Sequence, residues 1–302
     1  MNIKKIIEDK IATIGKKNIR FGFFGEYGFL LVNWLPFLIF IKSQGIYIKT
    51  AGLPGSRPLY FFSDDHLEFS PPFQPKSFGS RKANLWVQKK ISELLISPAG
   101  TYSPGISYQG ISFESNKVHT IPNFKNYMPI IFPHEDNSLF SDVAEYPYVV
   151  ITNKTYINWN SDMGNYFTSE EVTQLIILLN SLGMKVVFNN FGYNDGDIDA
   201  SKACVSIENK SNQINASDRY SMDVGIRNKQ QIALFQNALF LVSVQGGPSY
   251  LSCLFGKKNF VLQRAGSDFV NLMTLSGVYN SPVRAYYHFD QMIADIKLEE
   301  FS

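Results

Sequence analysis

The residues best suited to chemistry are Gln245-Gly246-Gly247-Pro248-Ser249, between an apolar run from Ala238 to Val244 and a helical pattern from Pro248 to Phe255. Two glycines let the backbone take positive φ and come close to a ligand, and Pro248 suits a first helical position, where the N–H it lacks would be unpaired anyway. Unpaired backbone N–H groups, the Ser249 hydroxyl and the positive end of a helix dipole would then meet at the carboxyl edge of a strand. Open α/β sheets bind ligands at that edge, and phosphate is favoured there. The chemistry implied is anion binding. The same pattern also serves a plain tight turn from strand to helix.

A second candidate is Glu26, in Gly25-Glu26-Tyr27-Gly28, between a strand pattern from Asn18 to Phe24 and an apolar helix from Phe29 to Lys42. A carboxylate at the lip of a strand can act as a general base, or it can cap its own helix for about 0.3–1 kcal/mol. Gly22, Gly25 and Gly28 depart from the G-x-G-x-x-G dinucleotide fingerprint, so no nicotinamide or flavin cofactor is expected. The run Ser63-Asp64-Asp65-His66 offers Asp64 and Asp65 as an acid/base pair or metal ligands, or simply as a solvated turn. It lacks metal-motif spacing, and no metal is expected.

These groups need a scaffold. A helical pattern from Gln230 to Asn237, the apolar run, the glycine turn, the next helix and a strand from Asn259 to Leu262 form the signature of a parallel α/β sheet. Upstream, a strand from Tyr148 to Thr152 ends in Asn153-Lys154. A helix from Ser169 to Ser181 follows, with Ser169 as its N-cap, and Met184 to Phe188 forms a strand ending in Asn189-Asn190. A further strand is expected at Cys204 to Ile207. Short helical pieces at Phe269 to Thr274, Arg284 to Phe289 and Gln291 to Ile296 close the chain.

In the first half, strands are expected at Ile46 to Ala51 and Leu59 to Phe62, flanking a turn-rich loop that carries Arg57, with a helix from Arg81 to Leu95. Pro122, Pro129 and Pro133 mark an extended connector and place a boundary near residue 140. The expected architecture is two Rossmann-like α/β domains, 1–140 and 141–302, facing each other across a cleft, the usual place for a small-molecule site.

Hydrophobic residues at 45% and charged residues at 18% describe a folded protein, rich in Phe (25) and Tyr (16). A net charge of +2 argues against a nucleic-acid partner, which needs a concentrated basic face. Charge is uneven, however. Lys4, Lys5, Lys10, Lys16, Lys17 and Arg20 accompany Ile3, Ile6, Ile7, Ile11 and Ile14 at near-helical spacing. Residues 1–20 thus form a basic amphipathic helix that either rests on an anionic membrane or packs on the first domain. The apolar stretch from Phe29 to Ile41 is too short to span a bilayer and is interrupted by Asn33 and Pro36. No signal-peptide pattern is present, and the expected location is cytoplasmic. Cys204 and Cys253 form neither a metal pattern nor a disulfide framework, and Cys253 reads as a small core residue.

The segment LVSVQGGPSYLSCLFGKKNFVL resembles the donor-binding strand, glycine loop and helix of GT-B glycosyltransferases. GEYGFLLVNWLPFL is similar to the loop and helix of the ADP-heptose:lipopolysaccharide heptosyltransferases, where an acidic residue follows a glycine. Together the two segments cover about an eighth of the chain. The resemblance implies a nucleotide-sugar donor whose diphosphate meets Gly246, Gly247, Pro248 and Ser249. Gln245, Asn153, Asn189, Lys154 and Arg264 would line the same site, the two cations neutralising charge. It implies Glu26 as base toward a glycan or lipid-linked acceptor, with Tyr27, Gly28 and Arg57 on the acceptor side, and no metal or cofactor. The D-x-G-x-x-H pattern of heptosyltransferases is replaced here by Val244-Gln245-Gly246-Gly247-Pro248-Ser249, which puts an ADP-heptose donor in doubt. Two other activities suit the same architecture: a sugar-nucleotide epimerase or hydrolase, and a non-catalytic binding protein whose Tyr102, Tyr108 and Phe113 stack on sugar rings.

Overall fold

The computed structural model describes residues 20–22, 30–43, 45–70, 72, 95–96, 105–108, 111–114, 146–153, 165–189, 213–216, 219–221, 223–264, 272–273, 276–277 and 279–299. The chain divides into two compact units, Met1–Pro133 with Met222–Lys229, and His134–Ser221 with Gln230–Ser302.

In the first unit, β1 (Arg20–Gly22), β2 (Lys49–Gly52), β3 (Asp65–Glu68) and β4 (Leu95–Ile96) form a parallel sheet in the order β3-β2-β1-β4. A separate antiparallel pair joins β5 (Gly105–Tyr108) to β6 (Ile111–Glu114). Helix α1 (Leu35–Ser43) is preceded by a π-helical turn, Leu30–Trp34. Pro36 has no N–H, so it cannot close the usual bond to the turn before it. Trp34, Leu35, Leu38, Ile41, Ile48 and Leu59 are buried.

The strand expected at Leu59 to Phe62 is instead a 3₁₀ turn, Arg57–Tyr60. Pro58 favours a helical entry, and Leu59 N–H donates to the Ser56 carbonyl. The strand begins later, at Asp65.

Residues 222–229 belong with this unit, although the sequence pattern assigns everything beyond 140 to the second domain. The reason is close packing on the loop after β2. Gly55 adopts φ +77°, and a Cβ there would lie 2.2 Å from the Gly225 carbonyl oxygen. The buried Asn228 donates from Nδ2 to the Pro54 carbonyl at 2.7 Å.

The second unit holds a six-stranded, all-parallel sheet ordered β12-β11-β10-β7-β8-β9. Its strands are β7 (Tyr148–Thr152), β8 (Lys185–Phe188), β9 (Gln213–Asn215), β10 (Phe240–Val244), β11 (Asn259–Leu262) and β12 (Val283–Tyr286). Every residue of β7, β10 and β11 is buried, as befits strands covered on both faces. Val149, Ile151, Val242, Val244 and Leu262 pack under helices α2 (Ser169–Ser181) and α5 (Phe289–Leu298). The opposite face meets α3 (Val224–Asn237) and α4 (Gly247–Leu254). There Tyr148 donates its hydroxyl proton to the Leu234 carbonyl at 2.8 Å, and the polar side chains of Ser243 and Asn259 join α4.

Three expectations need correction. Helix α2 is capped by Thr168, not Ser169. Thr168 Oγ1 accepts from Glu171 N–H at 3.3 Å, and Glu171 Oε2 accepts from Thr168 N–H at 2.9 Å, a complete capping box. The helix expected at Gln230 to Asn237 begins at Val224. Part of the piece expected as helical at Arg284 to Phe289 is strand β12, whose buried Val283 and Tyr286 extend the sheet beyond β11. The basic segment 1–19, the helix expected at 81–95 and the strand expected at 204–207 lie outside the described residues. Among the described residues, no helix is long and apolar enough to cross a membrane.

Candidate active site

The carboxyl edge of the second sheet is lined with uncharged polar side chains. Parallel registers pair Thr152 with Ser243, and Val244 with Leu262. Paired residues point to the same face. Thr152, Ser243, Gln245 and Gln263 therefore all project toward the α3/α4 side, and Asn189, following Phe188 of β8, joins them. All five are buried, Thr152 at 1% exposure and Asn189 at 0%.

The glycine turn leaves this edge from β10. Gly246 has φ 153° and ψ −168°, a region essentially reserved for glycine. Its N–H donates to Ser249 Oγ at 3.0 Å, and that hydroxyl donates to the Gly246 carbonyl at 2.7 Å. Because Gly246 has no side chain, only the Ser249 half of a capping box exists. The Ser249 hydroxyl is engaged in both of these bonds, so it shapes the turn. Gly247 and Pro248 remain half-buried. In the first turn of α4 the N–H groups of Gly247 and Ser249 have no acceptor within the helix.

A buried polar network fixes α4 beneath that turn. Asn259 Oδ1 accepts from Ser243 Oγ at 3.0 Å, and Asn259 Nδ2 donates to Ser252 Oγ at 2.7 Å. Ser252 Oγ then donates to the Ser249 carbonyl at 2.7 Å. Gln245 Nε2 donates to Tyr250 Oη at 2.8 Å. Cys253, beside this network, is a buried core residue whose thiol burial pushes up to about 12.

Two buried polar atoms at this edge have no hydrogen-bond partner among the described residues: Thr152 Oγ1 and Asn189 Nδ2. The other end of the Asn189 amide is used, since its Oδ1 accepts from Tyr220 Oη at 2.7 Å. An orphaned buried polar group costs about 1–3 kcal/mol, so each calls for a partner such as a water, an ion or a ligand.

On the other side of the edge, residues 165–168 form a pinned strap. Asn153, ending β7, grips Phe167 at both ends of its amide: Nδ2 donates to the Phe167 carbonyl and Oδ1 accepts from its N–H, each at 2.9 Å. Arg264, just past β11, donates its own N–H to Asn165 Oδ1 at 2.7 Å and Nη1 to the Tyr166 carbonyl at 3.0 Å. Its Nη2 pairs with Glu171. Asn153 and Arg264 are thus committed to holding the strap, where the resemblance casts both as donor contacts. Sequence reasoning overlooked Thr152, Gln263 and the strap. The visible signal was that successive strands end in an amide or hydroxyl.

The first unit answers differently. Asp64 and Asp65 stand at the amino end of β3, level with Lys49 at the start of β2, and not at a carboxyl edge. Burial raises the Asp64 carboxyl, but Lys42 Nζ at 2.5 Å and the Ile48 N–H at 2.7 Å outweigh it and hold it below its usual range. Arg20 Nη2, at 2.6 Å, does the same for Asp65. Both acids are engaged in ion pairs, Asp64 with Lys42 and Asp65 with Arg20. Arg57 is exposed, its N–H on Glu68 Oε1 at 3.0 Å. Glu26, Tyr27, Gly28 and Lys154 lie outside the described residues.

His66 forms a closed knot. Ser63 Oγ gives its proton to a backbone carbonyl, Ile48 or Asp65, so it accepts from Thr50 Oγ1 at 2.8 Å. Thr50 must then accept from His66 Nδ1–H at 2.7 Å, leaving Nε2 to accept from Ser56 at 3.0 Å. Tyr60 stacks on the ring at 4.8 Å. Burial, helped by Arg57 and Arg20, lowers the imidazole to about 3, so it is neutral near neutrality and a poor base.

No family model and no curated protein matches the sequence. Solved structures do. A glycosyl transferase family 9 protein from Veillonella parvula matches 94% of this chain and 89% of its own, with TM-score 0.58 and 11% identity. The ADP-heptose lps heptosyltransferase II of E. coli matches 89% of this chain and 90% of its own, with TM-score 0.51 and 12% identity. The chain has their fold, the two-unit α/β arrangement of GT-B glycosyltransferases.

Proposed function

We propose that the chain transfers a sugar from a nucleotide-sugar donor to a glycan or lipid-linked acceptor without a metal. One observation carries this reading: the half-buried glycine turn and the first-turn N–H groups of α4 share a strand edge with two buried polar atoms that have no partner among the described residues, Thr152 Oγ1 and Asn189 Nδ2. A donor diphosphate suits the N–H groups, because fixed dipoles stabilise charge that grows as the anomeric bond breaks. The donor's neutral hydroxyls and base suit the amides and hydroxyl along the edge.

Glu26 and Lys154 keep the roles the resemblance gives them, base toward the acceptor hydroxyl and counter-charge to the diphosphate. Gly247 and Ser249 contribute backbone N–H groups. Residues 1–20 would rest on an anionic membrane and bring the chain to a lipid-linked acceptor.

A thermal-shift screen with UDP, GDP, ADP, CMP and their sugar conjugates tests the reading. A bound nucleotide at 100 times its dissociation constant stabilises the chain by about 2.7 kcal/mol. No stabilisation by any of them defeats the proposal. With a donor in hand, Glu26→Ala should bind it normally and turn over at least 100-fold more slowly. Release of free nucleotide without an acceptor would point instead to a hydrolase.

A further inference from the structure

We propose that Tyr166 is the stacking platform for the planar base of the donor nucleotide, an assignment that rests on the nucleotide-sugar reading above. The strap alternates. Asn165 is 2% exposed and Phe167 is 3% exposed within the core, while Tyr166 between them is 44% exposed. Its backbone is held on both sides by the Asn153 amide and by Arg264.

Topology sets the location. The strap is tied to the end of β7 through Asn153 and to the end of β11 through Arg264, and β10 lies between those strands in the sheet. The β10 end is where Gln245-Gly246-Gly247 turns into α4. Tyr166 therefore stands beside the glycine turn, across the strand ends from the α4 N-terminus. Other exposed tyrosines are placed differently: Tyr47 precedes β2 and Tyr146 precedes β7, both at amino ends, and Tyr287 follows β12, the outermost strand of the sheet, two strands away from β10.

An exposed ring on a backbone already immobilised loses little entropy on binding, which is what a stacking surface needs. Arg264, which is bonded to this strap, is occupied by Glu171 and the Tyr166 carbonyl, so what Tyr166 itself offers is a π-face. Stacking on an aromatic side chain is a common way to hold a planar base.

Calorimetric titration of the full chain decides the matter, with the nucleoside diphosphate selected by the thermal-shift screen and with inorganic pyrophosphate as the comparison ligand. Tyr166→Ala and Tyr166→Leu should each weaken nucleoside diphosphate binding 10-fold or more while leaving pyrophosphate affinity unchanged, and Tyr166→Phe should bind like the native chain. Unchanged nucleotide affinity in Tyr166→Ala overturns the assignment, as does an equal loss for both ligands. A native chain that binds no nucleotide overturns the donor reading first, and the Tyr166 assignment with it.

Discussion

Two polar clusters in this chain use similar residue types toward opposite ends. In the first unit Thr50, Ser56, Ser63 and His66 close on one another, and none of their polar atoms is left without a partner. At the carboxyl edge of the second unit, Thr152 Oγ1 and Asn189 Nδ2 are buried with no partner among the described residues, beside a half-buried glycine turn. A histidine preceded by two aspartates looks more catalytic than a threonine and an asparagine. Completeness of hydrogen bonding separates them, because a satisfied network is architecture while an orphaned buried group costs stability that something else must offset.

The largest effect should come from opening the closed cluster. His66→Ala removes the partner of two buried hydroxyls and leaves a cavity, at a cost of about 3 kcal/mol in urea unfolding. Nucleotide binding by the folded protein should not change. The same knot predicts an acid limb. His66 titrates at about 3 in the folded chain against 6.5 unfolded, so the unfolded state binds the extra proton between those values. Stability is complete above pH 6.5 and falls as pH drops through that window, by about 2 kcal/mol from pH 8 to pH 5. Asp64 and Asp65, held below their usual range, add their loss only at more acidic pH. Urea midpoints at pH 8 and pH 5 that coincide would refute the burial argument.

Gly246→Ala should sharpen the contrast from the other side. Forcing an alanine into φ 153° costs about 2 kcal/mol and displaces the first turn of α4. Here, unlike at His66, the thermal shift from nucleotide should vanish as well. The smallest stability effect belongs to Thr152→Val, which deletes an orphaned hydroxyl at nearly constant shape. Unfolding free energy should move by only ~0.5 kcal/mol, in either direction, while nucleotide affinity falls roughly 10-fold. A marked destabilisation with unchanged affinity would place Thr152 in the scaffold and erase the distinction between the clusters.

Several features were legible in the residues alone. Apolar runs buried on both faces marked β7, β10 and β11, and Gly246-Gly247-Pro248 marked a strand-to-helix turn, because those signals depend on side-chain burial and backbone freedom that are local in sequence. The successive amide endings, Asn153, Asn189, Gln245 and Gln263, were visible too. Their fates were not. Asn153 and Arg264 hold a strap, and Asp64 and Asp65 pair with Lys42 and Arg20, since those partners arrive from elsewhere in the chain. Arg284 to Tyr286 became a strand because β11 offered an open edge, which no local propensity records. Sequence determined which elements form and where ligand-friendly backbone occurs. Only the tertiary structure decided which polar groups are consumed, because hydrogen bonding saturates, and a group already satisfied by a neighbour has nothing left for a substrate.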